Sequence, residues 1–513
     1  MSVDAIRHVP VVVVGAGPTG ITAATLLAKY GVECLVLDRW PGVYPQPRAV
    51  HLDDEIYRVI AHLGMADEFS AISRPTLGLR LLDNQSHRFR VLAEFRRDPS
   101  RSVHGFPQAN MFDQPELEGL LRANLKRYRK AELRGNAEVI DIDDQDGSAR
   151  ITFVDRTDGQ VQVVEADYLL GCDGANSMVR NQIGASMQDL KFEQRWLVVD
   201  VDTDADLHQW DGVYQVCDPV RAGTYMRIGH ARYRWEFRLL AGENAADFAT
   251  LTGLRPLIAP WIGDVEDGEL TLLRVAEYTF RAQLADRWRR GNIFILGDAA
   301  HLTPPFIGQG MGAGIRDAVN LAWKVAGVYH GTLAADVLDT YEQERKPHTR
   351  QLIRLALTVG RSMTGGGRAG DLLRRVALPR LRLVPGLRDK VVDSATPALH
   401  RSKLVLKSRR PGQLAGTLCP NPALPQGQRL DDVLGTGFAL ITASPLSRRD
   451  SANLLERNVT VLVAQPGSEL QRWLRRGRAT AAVVRPDRTI MCAGRDTAAL
   501  CAAVASRVRR TRN

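Results

Sequence analysis

The stretch VVVVGAGPTGITAATLLAKYGVECLVLDR, from Val11 to Arg39, places the tightest limit on what this chain can become. Val11–Val14 is an unbroken β-branched run, as a strand buried on both faces requires. Gly15, Gly17 and Gly20 follow in GxGxxG spacing around Pro18 and Thr19. Ile21–Lys29 suits a helix, Gly31 can stop it, and Cys34–Leu37 is a second apolar run that ends at Asp38. In such a βαβ unit Gly15 permits the tight turn. Gly17 lets the backbone approach a pyrophosphate, and Gly20 lets the helix pack on the strand. The helix start offers free N–H groups and a positive dipole end. Asp38 stands at the distance from which an acid reaches an adenosine ribose. A ligand-free glycine turn would need none of the strand, helix and acid, so the unit points to an adenine dinucleotide. It does not choose between NAD and FAD.

Two further segments narrow the choice. ADYLLGCDGANSMVR (Ala166–Arg180) reads as a strand end followed by an Asp173-Gly174 turn. ILGDAAHLTPPFIGQGMGAGIRDAVNLAWKVA (Ile295–Ala326) carries Gly297-Asp298 just past a strand over Ile293–Leu296. Asp298 is placed to hold hydroxyls. Gly308, Gly310, Gly312 and Gly314 keep side chains off the backbone where a flat ring could approach. A helix expected after Gly314 would turn its N–H groups toward negative charge developing on such a ring. In this order the three motifs suit one extended FAD, adenine at the first and ring at the last. No second strand–GxGxxG–helix unit occurs, and GGGRAG (Gly365–Gly370) reads as a loop.

Composition removes other classes. With 513 residues the chain suggests about three domains. An apolar share of 44% and a charged share of 25% suit a globular protein. The net charge of +10 invites a nucleic-acid reading. The arginine clusters at Arg287–Arg290, Arg409–Arg410 and Arg507–Arg512 have only Trp288 among them as a stacking aromatic, so solvated faces or anionic small ligands explain them better. Cys34, Cys172, Cys217, Cys419, Cys492 and Cys501 form no CxxC pair and read as free thiols of a reducing compartment. No metal-ligand spacing, apolar leader or membrane-length apolar run occurs, so a cytoplasmic protein without a metal is expected.

With these motifs, PRAVHLDDE (Pro47–Glu55), WLVVDV (Trp196–Val201), CDPVR (Cys217–Arg221) and DTYEQERKPH (Asp339–His348), the chain resembles the single-component FAD-dependent aromatic hydroxylases, the class A flavoprotein monooxygenases, over essentially its whole length. The resemblance implies that Gly15, Gly17, Pro18, Thr19, Gly20 and Asp38 hold the ADP half of FAD. It puts Arg39 and Arg48 at the adenosine or pyrophosphate and Gln114 at the ribityl chain. Asp173 would serve both FAD and NAD(P)H. Gly297 and Asp298 would take the ribityl hydroxyls, and Pro305, Gly308, Gly310, Met311 and Gly312 would line the ring. His51 and the Pro304-Pro305-Phe306 turn would approach the ring near the substrate. Tyr225, Arg227 and His230, on expected strands, are offered as pocket residues, Tyr225 as a catalytic candidate. Packing roles compete for all of these side chains.

The expected fold is α/β. A discontinuous Rossmann-like FAD domain (1–75, 101–189, 285–345) carries an inserted, mainly antiparallel substrate sheet (76–100, 190–284). A helical segment (346–410) and a thioredoxin-like C-terminal domain without CxxC (411–513) follow. The implied reaction uses NADH or NADPH and O2 to hydroxylate a small phenolic substrate, such as a 3-(3-hydroxyphenyl)propionate-like phenol, through a flavin C4a-hydroperoxide. A polyketide-tailoring hydroxylase or Baeyer–Villiger oxygenase would show the same FAD motifs, and a non-catalytic FAD sensor would bind flavin without turnover. The resemblance also makes a homodimer an expectation; the base that takes the phenol proton stays unnamed.

Overall fold

The computed structural model describes residues 6–45, 48–85, 88–100, 102–145, 147–229, 231–364, 396–407 and 414–510. The Gly365–Gly370 loop, Arg409–Arg410, His230 and Pro47 lie outside them. The valine run becomes the strand Arg7–Val14, fully buried over Val11–Val13. It pairs in parallel with Cys34–Leu37 on one side and Val161–Gly171 on the other. Ala131–Arg134 and Ile293–Ile295 extend this parallel core outward. Val161–Gly171 therefore delivers Asp173, and Ile293–Ile295 delivers Asp298, to the edge where Arg7–Val14 delivers Gly15. Ligands of open α/β sheets bind beyond these carboxyl ends of the strands.

A second sheet of eight strands carries Gly78–Gln85, Arg88–Arg96, the five strands between Met187 and Ala285, and the short strand His301–Leu302. Its backbone is the long pair Met187–Asp202 and Thr271–Ala285. All its ladders are antiparallel except Val213–Val216 against Gly78–Gln85. Period-two alternation sorts the faces. Leu197, Val199, Tyr225, Tyr233 and Trp235 pack with Leu254, Ile258 and Trp261 of the helix Leu251–Ile262. Trp196, Asp200, Met226 and Arg234 take the opposite face, toward the parallel sheet.

Thr340–Thr364 is one helix that runs across the boundary expected at 345/346, with Pro347 inside it. The C-terminal sheet has the order Thr460–Val463, Ala439–Thr442, Ala481–Val484, Ile490–Gly494. Its attachment is ionic as well as apolar. Arg485, fully buried, donates to both Glu344 oxygens (2.9 and 3.0 Å), and Glu344 also accepts from Lys324 (2.9 Å) and Asn320 (2.8 Å). Burial alone would raise the Glu344 carboxyl; Arg485 and Lys324 outweigh it and hold it at about 2. Arg58 clasps Asp431 through two bonds of 2.6 and 2.7 Å. No described helix is long and apolar enough to cross a membrane.

Candidate flavin site

The three motifs converge on one strand edge. Gly15 has φ +101°, and a Cβ on it would lie 2.3 Å from Cys172 O and 3.1 Å from Asp173 N. A Cβ on Gly20 would lie 2.0 Å from Gly15 O, and one on Gly297 (φ +60°) 2.9 Å from Thr19 Oγ1. The first motif therefore touches both others through positions where only glycine fits. Gly17 behaves differently: a Cβ there meets nothing within 4 Å, so its surface is open.

The helix Pro18–Lys29 starts without a side-chain cap, and proline at its first position removes one donor. The remaining amides of that turn face the open Gly17 surface, the arrangement that receives a pyrophosphate. Asp38 accepts from Ala16 N (2.6 Å) and Trp40 N (2.8 Å), which holds the turn and keeps the acid at the strand end. Arg39 lies over Trp40 (5.4 Å) and Arg48 over Tyr44 (5.0 Å); neither has an ion-pair partner among the described residues. Gln114 begins the helix Gln114–Leu125 and accepts from Arg48 N (3.1 Å) and Ala49 N (2.6 Å), so it orders the loop that leads to His51. Asp173 accepts from Ser177 Oγ (2.5 Å) and Val179 N (3.1 Å), fixing the turn after its strand.

Asp298 has no hydrogen-bond partner among the described residues and stays open to solvent. Dense protein around it pushes its pKa up; His301 and Arg48 pull it back. Beside it the helix Gly310–Tyr329 also starts without a side-chain cap. It begins at Gly310 rather than after Gly314, so Gly312 and Gly314 lie inside it. Packing explains this: a Cβ on Gly314 would fall 2.3 Å from Thr19 Oγ1 and 3.0 Å from Gly297 Cα. Gly310 has open space, and Met311 packs on the main core.

Gly308 (φ +61°) abuts His51, whose Nδ1 would lie 3.0 Å from an added Cβ. Burial, with Arg97 adding to it, lowers the His51 pKa to about 4, so the ring is neutral at pH 7. Pro304 is buried and Pro305 opens a short turn that sets Phe306 edge-on to Trp196 (6.1 Å) and Phe192 (5.6 Å). The Pro305–Phe306 turn thus meets Trp196, and Val50 beside His51 meets Met226, both on the inner face of the second sheet.

Tyr225 does not join them. It is 1% exposed, stacks on Trp261 (4.7 Å) and sits on the outer face of its sheet, where strand alternation also sends Arg227. Its neighbour Met226 faces the cleft instead, against Val50 and Met111. The one-residue offset decides this, and a strand expected from sequence does not reveal which of its two faces is covered by a helix.

A charge network beneath the cleft carries no expected role from sequence. Asp317, fully buried, accepts from Gly297 N (3.1 Å), His301 Nε2 (2.7 Å) and Arg345 Nε (2.8 Å). Burial would raise its pKa, but Arg345 and His301 outweigh this and hold it below the usual carboxylate range. Asp53 accepts from Gln309 (2.9 Å) and Arg316 (2.5 Å). These contacts hold the Gly297-Asp298 turn and the Gly308–Gly310 approach. The signal in sequence is Arg316, Asp317, Asn320 and Lys324 in a helix whose remaining residues are small or apolar. Among the described residues no group of three His, Cys, Asp or Glu could hold a metal.

The open Gly17 surface, two uncapped helix starts and an unpartnered carboxylate fit FAD laid from the first motif to the last. Residues 8–356 match the FAD binding domain family. The chain is 36% identical over 449 residues, 86% of its length and 80% of the relative's, to 3-(3-hydroxy-phenyl)propionate/3-hydroxycinnamic acid hydroxylase 2 of Burkholderia vietnamiensis. It is 32% identical over 96% of its length, and 93% of the relative's, to a protein of Rhodococcus jostii described as a probable NADH-specific resorcinol 4-hydroxylase. Its fold matches the flavin-dependent monooxygenase PieE, solved with FAD and substrate, with a TM-score of 0.81 at 23% identity over 97% of this chain and 98% of that one. A family match across residues 8–356 and relatives similar over most of both chains place this chain among the FAD-dependent aromatic hydroxylases.

Proposed function

We propose that this NAD(P)H-dependent flavoprotein monooxygenase acts on a small phenol carrying a 3-(3-hydroxyphenyl)propionate-like side chain and adds one hydroxyl ortho or para to the phenolic oxygen. The observation that carries the reading is the convergence of the motif turns, with Gly308, Pro305 and His51, beside the inner face of the second sheet. When bound, FAD supplies hydride acceptance from the nicotinamide and activation of O2. Gly17 and the Pro18–Lys29 helix start would hold its phosphates, Gly15 and Gly20 let strand, turn and helix close beneath them, and Asp38 would hold its ribose. Asp298 would hold ribityl hydroxyls, and the amides of the Gly310 helix start would favour negative charge on the ring. Phe306 and Trp196 exclude water from the reacting face. His51, neutral at pH 7, packs against the Gly308 turn and carries no charge into the cleft.

On this reading residues 1–75, 101–189 and 285–345 bind the flavin, and 76–100 with 190–284 cover it. Residues 411–513 contribute packing without redox work. The six unpaired cysteines suit the reducing cytoplasm, where we place the reaction. A homodimer is the assembly expected, to be checked by light scattering. The test is oxidation of NADH and of NADPH in air by the purified holoenzyme, with and without 3-(3-hydroxyphenyl)propionate, followed by product mass. Strong stimulation with a gain of one oxygen supports the proposal and identifies the nicotinamide. Oxidation that yields only peroxide with this phenol, alongside turnover of larger polycyclic phenols, would replace the substrate.

A further inference from the structure

Hydroxylation next to a phenolic oxygen is helped when that oxygen loses its proton, which calls for an acceptor in the cleft. The inner face of the second sheet locates one. On the strand Arg232–Arg238, Tyr233, Trp235 and Phe237 turn outward into the aromatic core, so Arg234 and Glu236 turn inward. Arg234 binds Asp200 (2.7 and 2.8 Å) and reaches across to Arg48 O (3.1 Å), which marks this face as the one covered by the loop before His51.

Across the sheet Glu236 stands opposite Val198 on one side and Thr224 on the other, and Thr224 pairs with Gln215. This row lies between two others. One contains Asp200, Arg234 and Met226, which meet the Arg48–Val50 loop. The other contains Trp196, which meets Phe306. The Glu236 row therefore lies between the place where the sheet meets the loop before His51 and the place where it meets the Pro305–Phe306 turn. Thr224 Oγ1 is already engaged with Gln215 Oε1 (3.1 Å). The Glu236 carboxylate has no hydrogen-bond or ion-pair partner among the described residues, although the residue is largely enclosed.

We infer that Glu236 is the general base that accepts the proton of the substrate's phenolic hydroxyl. This rests on the proposed phenolic substrate. In the step, the phenol O–H bond breaks and a carboxyl O–H bond forms. The electron pair stays on the phenolate oxygen, where it raises electron density at the ortho and para carbons. The proton leaves later to solvent through the cleft. The charged groups around Glu236 are Arg234 and Asp200, paired to each other, and Arg274 on the strand beyond; Thr224, Met226, Val198 and Phe306 are uncharged. Burial raises the Glu236 pKa, Arg234 opposes that, Asp200 adds to it and Arg274 opposes it. A carboxylate so held is a stronger base than one in water.

The test uses holoenzyme and the variants Glu236→Gln and Glu236→Asp. The substrates are 3-(3-hydroxyphenyl)propionate and a ring-fluorinated analogue whose phenol is more acidic. Product formation and flavin reduction are followed from pH 6 to 10. Glu236→Gln should lose about 100-fold in kcat for the parent phenol at pH 7, the low end of general-base effects. The loss should shrink as pH rises toward the phenol pKa and be smaller for the fluorinated substrate, with FAD binding unchanged. Glu236→Asp should keep most activity. A Gln variant within threefold of the parent at every pH, or one equally impaired with both phenols at every pH, overturns the assignment. Wild-type enzyme that hydroxylates neither phenol overturns the substrate proposal itself and this assignment with it.

Discussion

Gly17 and Gly20 stand three residues apart in one motif, yet their substitution should fail in opposite ways. Gly17 has φ −72° and ψ 179°, extended backbone that any residue adopts, and a Cβ there meets nothing within 4 Å. Gly17→Ala should therefore leave the apoprotein as stable as wild type, or more stable by about 0.4–1 kcal/mol through reduced freedom of the unfolded chain. Its methyl projects into the surface where the pyrophosphate must lie. Losing one charge-assisted amide–phosphate bond, worth about 1.5–3 kcal/mol, raises the FAD Kd about 10- to 150-fold. Gly20→Ala puts a methyl 2.0 Å from Gly15 O, a backbone atom that cannot swing aside. That variant should lose about 1–3 kcal/mol of apoprotein stability before any ligand is added. Urea unfolding of the two apoproteins and FAD titration by flavin fluorescence separate the effects. If Gly17→Ala holds FAD as tightly as wild type, or destabilises the apoprotein as much as Gly20→Ala, the assignment of Gly17 to the ligand surface is wrong.

Three other outcomes follow from the same geometry. Because the folded-state pKa of Asp298 is raised, its ionisation works against folding as pH rises through that value. Asp298→Asn should therefore be at least as stable as wild type at pH 7 in apoprotein melts while binding FAD more weakly, and a destabilised apoprotein would contradict this. Glu344, held at about 2 against an ordinary 4.5, contributes about 3 kcal/mol that is present above pH 4.5 and lost as pH falls toward 2. Removing it as Glu344→Ala leaves Lys324 buried without its anion and Arg485 with Asp487 alone, and should cost about 3–5 kcal/mol at pH 7. Trp323, 5.2 Å below Arg485, reports the change by fluorescence, and a loss under 1 kcal/mol would refute the clamp. Tyr225→Phe removes a buried hydroxyl that has no partner among the described residues and should leave kcat unchanged and stability equal or slightly higher; a large fall in kcat would restore Tyr225 to the site.

By itself the sequence determined the parts of this protein that depend on local backbone chemistry. The valine run, the glycine spacing and the acids at Asp38, Asp173 and Asp298 specify strand–turn–helix geometry within a few residues, so the dinucleotide site was legible before any tertiary contact was known. The helix start at Gly310 was misplaced to Gly314 because glycine has poor helix propensity, and only the approach of Thr19 and Gly297 shows why glycines are needed inside that helix. Which face of a strand meets the cleft was decided by tertiary structure. Tyr225 and Glu236 sit on neighbouring strands, and a single residue of alternation sends one into an aromatic core and the other to the opposite face. In the buried network Asp317 bonds His301 and Arg345, 16 positions before it and 28 after it. Charges of this kind persist in a core only when the fold brings their partners together, so their role had no local signature to read.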